Sequence, residues 1–229
     1  MAPPPNKVYQ VAVCLFSGAD ILDFAGPLEI LSHTFYNNER AVHNQAFQIT
    51  QIASTETILA GGLLTITPNT TFAEASKKIE DFDLLVVPGG APALLQRMAT
   101  SAGPEIQFIK AFNSLGQKGG KERTILSICT GALLVGAAGA LKNLKATTHH
   151  RALEILGQID GSIDVVSHRQ NGSVGRYVDG GRNENGVRIV TAGGVSCGLD
   201  ATLYIAEITA GREAAEMAAR MTEYQWQRA

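Results

Sequence analysis

The chain has 229 residues, 45% of them hydrophobic and 17% charged, with 24 glycines. The charged share lies below the usual value of about 25% and glycine above the usual ~7%, which excludes a disordered chain, a coiled coil and a collagen-like repeat. Nineteen basic residues against 21 acidic ones give a formal net charge of −2, so no basic excess exists to bind nucleic acid.

Val8 to Phe16 is apolar and β-branched, as in a buried strand. Ser17-Gly18-Ala19-Asp20 breaks it, and Pro27 marks a helix start with Leu28, Ile30 and Leu31 as apolar positions. Phe47 to Ala53 reads as a second strand, and Thr57 to Pro68, with Gly61-Gly62 inside, as a hairpin. Asp83 to Val87 is a short continuous apolar run suited to a central parallel strand, ending in Pro88-Gly89-Gly90. A helix is expected over Pro104–Leu115. The next buried strand, Thr124–Ile128, runs directly into Cys129-Thr130-Gly131 and a small-residue helix over Ala132–Leu141. Arg151–Ile159 reads as helix and Ile163–Ser167 as extended. Arg176–Thr191 reads as a hairpin turning at Asn183–Gly186, and Gly198–Ala210 and Arg212 to about Gln225 as helices.

Alternating strands and helices indicate an α/β fold, a three-layer sandwich with a mostly parallel central sheet. No linker, repeat or low-complexity segment divides the chain, so residues 1–229 read as a single domain, with residues 1–7 a flexible N-terminus. Cys14, Cys129 and Cys197 are too few and too scattered for a disulfide framework, and no paired His/Cys spacing points to a metal. No apolar run approaches the roughly 20 residues that span a bilayer, and the first residues lack a signal-peptide pattern. The expected compartment is the cytoplasm. No GxxxxGK[ST] occurs and no GxGxxG follows the first strand, so neither a P-loop nor a dinucleotide site is indicated.

Ligands in such sheets bind at the carboxyl ends of the strands. Cys129 falls there, in a sharp strand-to-helix turn. A helix N-terminus lowers a cysteine pKa, and a thiolate is then the resting form at neutral pH. A buried structural thiol is the competing reading. Gly89-Gly90 can bring backbone N–H groups to a developing anion, or can simply form a tight turn. Asp23, set in an apolar stretch, has the environment that raises a carboxyl pKa and makes a proton carrier; a helix cap is the alternative. Asp20 reads as a solvated loop residue. His149 and His150 either approach the same edge or serve structure. Cys14 reads as inert core and Cys197 as structural filling.

Six ordered pieces resemble the ThiJ/PfpI superfamily, of glutamine-amidotransferase-like (flavodoxin-like) fold, and within it the isonitrile (isocyanide) hydratase branch. They are Ile21–Pro27, Val87–Gly90, Ser127–Ala132, Gly136–Gly139, Ala146–His149 and Thr191–Gly194. The resemblance implies Cys129 as nucleophile, Asp23 as the carboxyl beside its sulfur, and Gly90 with the Thr130 N–H as an anion-stabilising pocket. It also implies a helping hydroxyl on Thr130, His149 near the pocket, and a homodimer with the site near the subunit interface. Thr130 departs from the histidine that protease-like members carry after the nucleophile. The late His-x-Glu pair of glutamine amidotransferases is replaced by Val195-Ser196-Cys197.

The activity this implies is hydration of an isonitrile to an N-substituted formamide through a thioimidate, a lyase reaction needing no metal, nucleotide or flavin. The alternatives are a glyoxalase- or deglycase-like enzyme acting on 2-oxoaldehydes, and a redox-sensing or chaperone-like protein in which Cys129 oxidises to a sulfinate. The expected partner is a small-molecule substrate, with neither nucleic acid nor membrane.

Overall fold

The first apolar run folds as the strand Tyr9–Cys14 (β1), its last four residues buried. The computed structural model describes residues 7–167 and 175–228. In chain order there follow Ile21–Ser32 (α1), Phe47–Ala53 (β2), Ile58–Ala60 (β3), Leu64–Ile66 (β4), Thr70–Thr71 (β5) and Phe72–Ser76 (α2). Then come Leu84–Val87 (β6), Pro92–Ser101 (α3), Pro104–Leu115 (α4), Thr124–Ser127 (β7), Gly131–Ala137 (α5), Lys145–Ala146 (β8) and Leu153–Ile159 (α6). The chain continues through Asp164–Val165 (β9), Tyr177–Arg182 (β10), Arg188–Ala192 (β11), Cys197–Ala210 (α7) and Arg212–Met221 (α8).

Seven strands form one sheet in the order β10-β11-β7-β6-β1-β2-β5. Every neighbouring pair is parallel except β10 with β11, which close as an antiparallel hairpin. The parallel centre explains the composition of β6, Leu-Leu-Val-Val, buried at every position. Helices α1, α7 and α8 pack together in one group and α2 to α6 in another, which gives three layers. The order of strands reverses between β1 and β6, and the crevice beyond their carboxyl ends is the expected ligand position in such a sheet.

The strand β2 and the helix α4 have the bounds the sequence predicts. The hairpin β3–β4 also forms, antiparallel and separate from the main sheet. Helix α1 differs: it begins at Ile21, six residues before Pro27, which lies inside it. Proline suits a helix start but is also tolerated within a helix at the loss of one backbone bond; here that bond would have gone to the Asp23 carbonyl. Asp23 therefore sits in the first helical turn and Asp20 at its N-cap, with no side-chain cap bond. Helix α3 has no counterpart in the sequence reading, although Leu94, Leu95, Met98 and Ala99 form a short apolar stripe that packs on the core; Leu95 is its one fully buried residue. The expected flexible N-terminus lies outside the described residues except for Lys7, whose ammonium bonds the Asp83 carboxylate at 3.0 Å.

The turn at 183–186 is keyed by one side chain. Asn183 Oδ1 accepts from the Asn185 and Val187 N–H groups, each at 3.1 Å, and its amide donates to Asn113 Oδ1 at 2.6 Å. That bond fastens the hairpin to α4.

Candidate active site

Three strand ends converge. The β1–α1 connection brings Asp20 and Asp23, the end of β6 brings Gly89 and Gly90, and the end of β7 brings Cys129 and Thr130. The Asp20 N–H bonds the Gly89 carbonyl at 2.8 Å, and a bridge pairs Ala19 with Gly90. Asp23 is fully buried, Thr130 is 1% exposed and Cys129 5% exposed, so all three side chains are withdrawn from solvent. Surface cavities of about 500–660 Å³ lie elsewhere and are lined by neither Cys129 nor Asp23.

Cys129 has φ +54°, the left-handed region that costs a non-glycine residue about 1–2 kcal/mol. Bonds on both sides of the residue hold it there. Its N–H donates to the Ala192 carbonyl at 3.2 Å, and its carbonyl accepts from Thr148 Oγ1 at 2.8 Å. The turn leaves no room for side chains behind it. A Cβ on Gly131 would stand 2.2 Å from the Val87 carbonyl oxygen, and one on Gly89 2.6 Å from both the Thr130 nitrogen and Oγ1.

Asp23 Oδ2 accepts from the Gly89 N–H at 2.9 Å. Oδ1 is buried and has no hydrogen bond of ordinary geometry among the described residues. Burial raises the carboxyl to about 7, reinforced by the Asp20 charge; the Gly89 N–H and the neighbouring Cys129 thiol hold it lower than burial alone would. The Cys129 thiol is pushed up to about 12, first by burial and then by the Asp23 and Asp20 carboxylates, against hydrogen bonds from the Thr130 N–H and hydroxyl. The expectation of a resting thiolate is thus corrected: the helix N-terminus acts in the predicted direction, but desolvation and two nearby carboxylates outweigh it. The resting pair is a thiol beside a carboxyl that titrates near neutrality.

The Thr130 hydroxyl donates to the Gly90 carbonyl at 2.8 Å and accepts from the Gly90 N–H at 2.9 Å. A hydroxyl has one proton, so it serves the Gly90 carbonyl or the sulfur, not both. The Gly90 N–H is spent on Oγ1 and meets an anion only after that bond opens. His149 is half-buried. Its Nδ1 accepts from the Arg151 N–H at 3.2 Å, its ring lies 4.1 Å from that of His150, and Cδ2 lies 3.2 Å from where a Gly194 Cβ would stand. The groups that shift the thiol, among the described residues, are Asp23, Thr130 and Asp20. Cys14 is fully buried in β1 and Cys197 half-buried at the start of α7. Among the described residues no group of three or more His, Cys, Asp or Glu is placed to hold a metal ion.

The sequence points the Gly89 N–H at a developing anion, whereas that N–H donates to Asp23, and it gives no role to the Thr148 hydroxyl that holds the Cys129 carbonyl. Gly89 was visible as a turn glycine, but nothing in a Thr-Thr pair reveals which carbonyl it will meet.

The fold and site define a class: an α/β protein with a strained cysteine on a strand-to-helix elbow and a buried carboxyl beside it. The sequence profile of the DJ-1/PfpI family matches residues 9–202, and the chain belongs to that family. It is 27% identical over 218 residues, 94% of its length, to the isonitrile hydratase of Pseudomonas putida, of which it covers 78%. A ThiJ/PfpI family protein from Pseudomonas syringae superposes with a TM-score of 0.72 at 25% identity, over 98% of this chain and 78% of that one. Drosophila melanogaster DJ-1beta gives the same TM-score at 18% identity, over 96% of this chain and all of that one; this shows the shared fold.

Proposed function

We propose that the chain is a cysteine-dependent hydratase converting small isonitriles to N-substituted formamides. The observation that carries the reading is the buried Cys129–Asp23 pair: a nucleophile that keeps its proton at rest, beside a carboxyl whose pKa of about 7 suits it to move that proton at neutral pH. Likeness to an isonitrile hydratase supports the substrate class. The reacting groups are buried, and the site's carboxylates disfavour an anionic substrate, which suits a narrow neutral one.

The Asp23 carboxylate takes the thiol proton as sulfur bonds the terminal isonitrile carbon. Deprotonation accompanies attack, because the free thiolate is scarce. Asp23 then delivers the proton to that carbon, giving a thioimidate. Water adds to the same carbon, and its proton passes through the carboxyl to nitrogen. The C–S bond breaks, the thiol regains its proton and the formamide leaves, so the sum is isonitrile plus water. The Thr130 N–H, which favours the charged form of the thiol, stabilises the charge on sulfur during attack and departure, and the Thr130 hydroxyl joins it once its proton leaves the Gly90 carbonyl. Gly90, which bonds Thr130, and His149, next in the chain to the Thr148 that holds the Cys129 carbonyl, complete the pocket we propose.

One large hydrophobic cluster includes the central strands and helices from both layers, with a small second one at Ile30, Leu203 and Ala218, in keeping with a single domain, and three free cysteines suit the cytoplasm. Leu22, Leu59, Leu63 and Leu64 are exposed, Leu63 at 84%. The hairpin carrying three of them bonds the β1–α1 connection at Gly18 and Gly61. A second copy covering this face is the homodimer we expect.

The test is a side-by-side assay with a simple alkyl isonitrile and methylglyoxal. Formamide production that disappears in Cys129→Ala supports the reading. Turnover of methylglyoxal alone favours the glyoxalase-like activity, and peroxide-dependent sulfinate formation with no turnover of either favours a redox role.

A further inference from the structure

The strained conformation of Cys129 is imposed through its own peptide groups, and the tie on its carbonyl comes from a residue 19 positions away. We propose that Thr148 is a positioning residue of the site: its hydroxyl holds the Cys129 carbonyl and, through the rigid 129–130 peptide, aims the Thr130 N–H at the Cys129 sulfur. The inference rests on Cys129 being the reacting thiol.

The carbonyl of Cys129 and the N–H of Thr130 belong to one planar trans unit and point in opposite directions. Fixing one end fixes the other. Thr148 Oγ1 donates to that carbonyl at 2.8 Å, and Thr148 is fully buried, so water does not compete for the bond. Its segment is clamped in turn. The Thr147 N–H donates to Thr191 Oγ1 at 2.8 Å and the Thr147 hydroxyl to the Val166 carbonyl at 2.7 Å. Two strand ends therefore fix the height of Thr148 above the elbow. On the other side, the Cys129 N–H is anchored to the Ala192 carbonyl, one residue beyond Thr191. A donor on the carbonyl also draws charge from the peptide nitrogen and strengthens the N–H as a donor. The N–H whose direction Thr148 fixes is the one that favours the charged form of the thiol. Without the hydroxyl the peptide is free to tilt, and the sulfur loses its most local stabiliser as charge develops. The titratable neighbours of that sulfur are Asp23 and Asp20, and His149 follows Thr148 in the chain.

Thr148→Val removes the hydroxyl and keeps the shape; Thr148→Ser keeps the hydroxyl and drops the methyl. The readout is the rate at which iodoacetamide alkylates Cys129 at fixed pH, followed by peptide mass so that Cys197 is scored separately. The valine variant is expected to react about tenfold more slowly, with kcat falling in step and KM little changed, and serine to stay within about twofold of the parent. Should the valine variant not fold, Thr148→Ala carries the same comparison. Parental alkylation in a folded Val or Ala variant overturns the proposal whatever its Tm, and so does a serine variant as slow as valine. Alkylation uses no isonitrile, so failure of the hydratase reading in the substrate assay leaves this measurement intact.

Discussion

Asp23 and Asp200 are the same residue in closely similar local settings. Both are fully buried, both lie in the first turn of a helix, and the two helices, α1 and α7, pack against each other. Asp200 is saturated: Oδ2 accepts from Arg176 Nε and from the Tyr224 hydroxyl at 2.9 Å, and Oδ1 from the Gln227 N–H at 2.7 Å. It fastens the C-terminal segment and β10 to the helix layer. Among the described residues Asp23 has one backbone N–H, one oxygen without an ordinary partner and a cysteine thiol, and no cation bonds it. A buried carboxyl supplied with a cation and donors is architecture. Left short of them, it keeps a proton near neutrality and is available for chemistry.

The contrast can be broken from either side. The largest effect is expected at the thiol. Cys129→Ala should abolish isonitrile turnover while circular dichroism and Tm stay near those of the parent; retained turnover removes the nucleophile from the reading. Asp23→Asn comes next, with a rate loss of about 10²–10⁴-fold for a lost proton carrier and no loss of stability at neutral pH, since the amide oxygen can still accept from Gly89.

Asp200→Asn should show the reverse, unchanged turnover per folded molecule with a clear drop in urea-unfolding free energy. Breaking a fully buried pair costs roughly 3–5 kcal/mol, and less is expected here because Arg176 keeps contact with water. Tyr224→Phe removes a single bond to the same carboxylate and should cost about 1 kcal/mol.

The pH dependence sharpens the comparison. The folded pKa of Asp23, about 7, stands above its ordinary value of 3.8. Between those values the folded state holds a proton the unfolded chain has released, so stability falls as pH rises, by up to about 1.4 kcal/mol per unit from this group. Activity should move the other way, rising through about pH 7 as Asp23 ionises and can accept the thiol proton. Asp23→Asn should remove both slopes. A wild-type profile that stays flat through that range in turnover and in stability would show that Asp23 does not titrate there.

Much of the fold was legible because it rests on local pattern. Continuous apolar runs became the central strands, and α4 and β2 carry their predicted bounds. The two-residue strands β5 and β8 are too short to leave a periodic trace, and the short stripe of α3, Leu94, Leu95, Met98 and Ala99, is interrupted by Gln96 and Arg97. Pro27 misled in the other direction: its preference for a first helical turn concealed that Asp23 lies inside the helix and faces the core.

By itself the sequence determined the order of strand, turn and helix, the placement of Cys129 on a tight elbow, and the glycines that let Val87–Gly90 and Gly131 approach within contact. The tertiary structure alone decided the state of the chemistry. The apolar neighbours that single out Asp23 do not show that it, unlike Asp200 between Leu199 and Ala201, will lack a cation, nor does anything local reveal that a cysteine at a helix N-terminus will keep its proton. Protonation depends on how much water is removed and which charges arrive. Both are set by segments far apart in the chain, the β1–α1 connection and the end of β7, which meet only when the parallel sheet brings its carboxyl ends together.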